Sequence, residues 1–103
     1  MLNILGLTYE LNRVDKIDDP KTGDGSIVGL CRGDSIAVLN CLSDTFADST
    51  IIHEVVHAIS DQTALYLKEG PVGVLSAGIY HFIVSNPEFI KNMLKHANKN
   101  RGK

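Results

Sequence analysis

A chain of 103 residues bounds a single domain, residues 1–103, with room for one modest core. Its composition, 44% hydrophobic and 21% charged, fits a globular protein and excludes a disordered one. The formal net charge of -2 gives no electrostatic reason to expect nucleic acid, and no apolar run is long enough to expect a membrane span.

Taken in chain order, Ile4, Leu5, Leu7, Tyr9 and Leu11 recur with a period near two and predict a strand over residues 4–14. Residues 15–26 read as a turn-rich link in which Ile17 alone can join a core. Residues 26–32 and 35–41 are both β-like, and Gly33-Asp34 between them supplies a hairpin turn. That register sets Cys31 opposite Ile36 rather than Cys41, so no disulfide is expected and both thiols are read as small buried core residues.

Ser43 or Asp44 caps a helix running toward Leu67, with Phe46, Ile51, Ile52, Val55, Val56 and Ile59 at helical spacing. Gly70-Pro71 opens a second helix, whose stripe Val72, Leu75, Ile79, Phe82 and Ile83 ends near Ser85-Asn86. Pro87 opens a last helix over residues 88–97, from which Phe89, Ile90, Met93 and Leu94 are expected to pack back. The cations Lys91, Lys95, Lys99, Arg101 and Lys103 suit the solvated C-terminal end of that helix. The predicted fold is α+β: a small antiparallel sheet, made of the N-terminal strand and the hairpin, with helices packed on it.

The chemistry concentrates in His53-Glu54-Val55-Val56-His57, an H-E-x-x-H pentad within the first helix. Histidines four apart stand one turn above each other on one helix face and can hold a single Zn2+ ion. The glutamate between them is placed to take a proton from water, the combination a zinc hydrolase needs. His53, His57 and Asp61 share a stripe distinct from the apolar one.

Two histidines leave a tetrahedral zinc one protein ligand short. Glu69, just before the second helix, is the leading candidate, because the chain can swing back to the metal there. Asp61 lies on the same helix, where a hydrogen bond to His57 is easier than ligation. His81 lies in the second helix and could face the first, or be hydrogen-bonded in the helix interface. Asp48 lies about a turn and a half upstream of His53 and is read as solvated.

The opening Asn3-Ile4-Leu5-Gly6-Leu7-Thr8-Tyr9-Glu10, the segment from Ser49 through Ile59 and the helix leading into Ser85-Asn86-Pro87-Glu88-Phe89 together resemble the ImmA/IrrE-like metallopeptidases of phages and prophages. The resemblance spans nearly the whole chain in order, although only the pentad is a specific motif. It implies a minimal zincin-like domain with a hairpin before the motif helix, zinc on His53 and His57, and Glu54 as general base. Relatives of that family act on transcriptional repressors or regulate stress and mobile-element genes. The chain departs from the family where an acidic ligand would align with Gly73, which leaves Glu69 to take that role or the site incomplete.

Two functions are therefore expected to compete. One is a zinc-dependent endopeptidase acting on a protein or peptide such as a regulator, with Tyr66 or Tyr80 near the oxyanion and residues 16–26 as a recognition loop. The other is a non-catalytic module of the same fold that binds a regulatory protein. Retention of Glu54 favours the first, since a purely structural pair of histidines has no use for that carboxylate. Met1-Leu2-Asn3-Ile4 lacks the features of a secretory signal, so the expected location is cytoplasmic, in a bacterial host if the chain is phage-encoded.

Overall fold

The structure, a computed structural model, describes residues 1–18 and 27–101. Four strands and three helices follow in order: β1 (Leu2–Ile4), β2 (Leu7–Val14), β3 (Gly29–Arg32), β4 (Ser35–Leu39), α1 (Asp44–Gln62), α2 (Glu69–Ser85) and α3 (Pro87–Arg101). This is a small α+β fold in which one four-stranded mixed sheet carries the helices.

The predicted N-terminal strand is in fact a hairpin. Leu5 and Gly6 both take positive φ, at 50° and 87°, and Asn3 Oδ1 accepts the Gly6 N–H at 3.0 Å. Such a two-residue turn matches the right-handed twist of the strands it joins. Leu5 extends the apolar alternation of its neighbours, which hides the turn in the sequence, yet it points to solvent at 64% exposure.

The sheet order is β1-β2-β4-β3, with β2 antiparallel to β1 and parallel to β4. An all-antiparallel sheet is therefore corrected to a mixed one. Alternation reports which face a residue occupies and says nothing of strand direction. Residues 15–34 separate β2 from β4, a stretch long enough for the connection that a parallel pair requires. The recognition loop expected at residues 16–26 lies largely outside the described residues. The β3–β4 hairpin has the predicted register, with Cys31 opposite Ile36. Both cysteines are free, Cys31 half-buried and Cys41 exposed, so only the absence of a bridge holds and not the burial of both.

One face of the sheet packs on α1. Ile4, Tyr9, Ile36 and Ala58 form its core, with Leu11, Cys31, Val55 and Ile59 against them. Ile36 and Val38, two apart on the central strand, are fully buried, each worth about 1.5–3 kcal/mol. Gln62 Nε2 donates to Ile4 O at 2.8 Å and to Tyr9 Oη at 3.0 Å, tying the end of α1 to the first hairpin.

Ser43 caps α1, its Oγ accepting the Phe46 N–H at 3.3 Å. The helix stops at Gln62 instead of reaching Leu67. Ala64 and Tyr66 take positive φ, and Ser60 Oγ accepts the Leu67 N–H at 2.7 Å. That bond steers the chain back so that α2 starts at Glu69, beside α1.

α1 is thus enclosed by the sheet on one side and α2 on another. Its fully buried positions are Ala47, Thr50, Glu54, Val56, Ala58 and Ser60, whereas Phe46, expected in the apolar stripe, is half exposed. Small residues let two elements approach the same helix closely. Among the described elements α3 packs only on α2, and Phe89, Met93 and Leu94 remain about half exposed instead of packing back. No helix of the described residues is long and apolar enough to cross a membrane.

Candidate metal centre

Three side chains from two helices converge at one end of the α1–α2 pair. His53 and His57 stand one turn apart on α1, with ring centroids 5.0 Å from each other. Glu69, the first residue of α2, reaches both. Its Oε1 meets His53 Nε2, and its Oε2 lies 3.0 Å from His57 Nε2. Ligand atoms of the three residues fall within 4.8 Å of one another, a group that could hold a metal ion.

Local sequence explains the convergence. The turn after α1 returns the chain so that α2 runs back along α1, and Glu69 gains stabilisation at the helix N-terminus from the dipole. Gly73, one turn further along α2, lines the same pocket, and a side chain there would meet no atom within 4 Å. Position 73 is therefore open toward the site, but the carboxylate arrives from one turn earlier.

An outer partner orients His53. Ser76 is buried, and its Oγ lies 3.2 Å from His53 Nδ1 and 3.2 Å from Gly73 O. A hydroxyl that donates to the Gly73 carbonyl can accept a hydrogen bond from the His53 Nδ1–H. That arrangement keeps the His53 Nε2 lone pair for a ligand. Ser76 is a site residue that the sequence reading missed; its seven-residue spacing from Glu69, two helical turns, was the available signal.

Glu54 lies under the histidines, only 6% exposed. Burial pushes its pKa up, while His57, His53 and a bond from the Cys31 backbone N–H pull the other way. Strand β3 comes unusually close at this point because Gly29 has no side chain. A Cβ on Gly29 would sit 2.5 Å from Thr50 Cγ2 and 3.1 Å from Glu54 Oε2. The Cys31 thiol is pushed up to about 11 by burial first, and then by the charges of Glu54 and Asp61. It stays protonated at neutral pH and is a poor metal ligand there.

These groups line an open pocket of about 900 Å3 between β3 and the two helices. Asp61 lines the pocket without joining the convergent group. His81 lies away from it, exposed on α2 with Nε2 3.3 Å from Ser85 Oγ. Asp48 and Tyr80 line a separate groove at the far end of the helix pair, and Tyr66 is largely exposed. Neither tyrosine lines the site, so their suggested oxyanion role is withdrawn.

Comparison with protein-family models, curated proteins and solved structures finds no match.

Proposed function

We propose that this chain is a zincin-like, zinc-dependent metallopeptidase, akin to the ImmA/IrrE-like enzymes of phages and prophages. The observation that carries the reading is the Glu69 carboxylate meeting Nε2 of both pentad histidines while Glu54 lies buried beneath them. Two imidazoles and one carboxylate, with no thiolate, make the donor set of a catalytic zinc site that keeps a position open.

Zinc held by His53, His57 and Glu69 would supply Lewis acidity to a peptide carbonyl and lower the pKa of water at the open position. The chain's own groups do the rest. Glu54 accepts the proton from attacking water, and its raised pKa suits a base that must then hand the proton to the departing amine. Ser76 holds the His53 ring, and β3, the outer strand of the sheet, walls the pocket in which a peptide would lie. Substrates are proteins or peptides with an accessible extended segment, such as a flexible region of a regulatory protein.

The test is elemental analysis of protein purified without chelator, with His53→Ala and Glu54→Gln alongside. The expected result is near-stoichiometric zinc in the native chain and in Glu54→Gln, and its loss in His53→Ala. Hydrolysis of unstructured protein substrates is expected to fall about 10²- to 10⁴-fold in Glu54→Gln. Zinc binding without any Glu54-dependent hydrolysis would leave a binding module; absence of zinc uptake would remove the metal reading altogether.

A further inference from the structure

Between Glu69 and Glu88 the chain has no Asp, Glu, Lys or Arg, so α2 is apolar or neutral on every side. A helix of that kind is ordinarily covered all round, yet here α1 covers one side only. Leu75, Ile79 and Phe82, at i, i+4 and i+7, form an exposed stripe along the uncovered side. Phe82 meets Phe89 of α3 edge-on at 5.8 Å, and the stripe continues onto Met93.

We infer that this stripe is the interface of a two-fold dimer of the chain, in which α2 and α3 of one copy pack on α2 and α3 of the other. The inference does not depend on the metal site. Val74, Leu75, Ile79, Phe82, Phe89, Met93 and Leu94 together leave on the order of 600 Å2 of apolar side chain open per copy, close to the roughly 800 Å2 per partner of a standard stable interface. A patch of that size lies at the upper end of what a typical monomer exposes, where apolar patches are often functional.

The lack of charge on the stripe suits a second copy as the occupant. A two-fold contact brings each residue near its own counterpart, so any formal charge at the centre would meet its like. The run from Glu69 to Glu88 holds no such charge between its ends. The cations of α3 also argue against a lipid surface. Lys91 and Lys95 lie on the side of α3 turned away from Phe89 and Met93, so they would point away from headgroups contacted by the stripe. The pocket side of α2, with Glu69, Gly73 and Ser76, is a different side of the helix, so the dimer leaves the metal centre open.

Phe82 lies midway along the stripe and therefore near the two-fold axis. Analytical ultracentrifugation of the full chain is expected to give twice the 11.2 kDa chain mass. Phe82→Asp and Phe82→Lys, each alone, are expected to raise the dissociation constant at least about thirtyfold, the effect of losing a central aromatic anchor. Their equimolar mixture is expected to regain the dimer, because opposite charges then face each other; misfolded variants would not rescue one another. A native chain that stays monomeric at every concentration, or a dimer indifferent to Phe82→Asp, overturns the inference. So does a monomer that co-sediments with anionic phospholipid vesicles through Phe82, which would make the stripe a membrane contact.

Discussion

The two ends of the α1–α2 helix pair are built on opposite principles. At the Glu69 end, polar groups are partnered: Glu54 and Ser76 are buried, and both histidines, largely buried, contact the exposed Glu69 carboxylate. At the Phe82 end, large apolar side chains stand in water while Asp48 and Tyr80 border an apolar groove of about 250 Å3 with Ile51, Ile52, Ile83 and Val84. Burying polar groups costs free energy unless partners are supplied, and exposing apolar ones forfeits about 25 cal/mol per Å2. On the readings proposed above, one end serves chemistry and the other association. The same α2 helix serves both because its two sides are set by different residues at the same helical period.

The largest effect expected from breaking the first end is loss of metal through Glu69. Glu69→Ala should lower zinc affinity by more than the 10- to 100-fold typical of removing an outer partner, since it removes a proposed ligand. Isothermal titration with zinc on chelator-stripped protein measures it. Asp61→Ala should bind zinc within a few-fold of the native chain, and a larger loss there would reassign the third ligand. Ser76→Ala comes next. It should cost about 10- to 100-fold in zinc affinity while the metal-free protein melts within a few degrees of native. Ser76→Thr, which keeps the hydroxyl, should recover most of the loss; an alanine variant that binds zinc normally would show that the His53 ring needs no such support.

The sequence reached the first end better than the second. The pentad prescribes two histidines on one helix face, and Glu69 was the leading third partner because the chain turns there. Ser76 stays hidden, since its two-turn spacing from Glu69 carries meaning only once Glu69 is placed beside the histidines. In the sheet, the β3–β4 register followed from Gly33-Asp34, whereas the parallel pairing of β2 with β4 did not, because side-chain alternation is the same in either direction. Periodicity likewise identified the stripe of α2 and α3 but assigned it to the core. Apolar periodicity alone does not report whether the same chain covers a stripe.

The close approach of β3 to α1 offers a smaller and sharper test of how tightly the site end is built. Gly29→Ala places a methyl group against Thr50 Cγ2 and should destabilise the protein by about 1–3 kcal/mol in chemical denaturation. Thr50→Ser removes the obstructing methyl, so the double variant should recover part of that loss. Additive effects would mean that the strand and helix part easily and that the wall of the pocket is soft.

The smallest expected effect concerns Glu54 in metal-free protein, and its sign discriminates between a desolvated carboxylate and a merely covered one. Burial raises the native pKa of Glu54 above its unfolded value. The folded state therefore binds the proton more tightly, and this contribution to stability is fully present below the unfolded carboxylate pKa of about 4.3. It is lost as pH rises through the raised native value, so at neutral pH the ionised carboxylate weakens the apo fold. Glu54→Gln cannot ionise and should melt at a higher temperature than the native chain at neutral pH in the presence of chelator. The gap should close as pH falls to about 4, where both side chains are neutral. Adding zinc should favour the native chain relative to the variant, because a nearby cation stabilises the carboxylate. A Glu54→Gln variant that is no more stable than native without metal would mean that His53, His57 and the Cys31 N–H already offset the desolvation. The buried base would then be held at no cost to the fold, and the contrast between the two ends would lie in exposure alone.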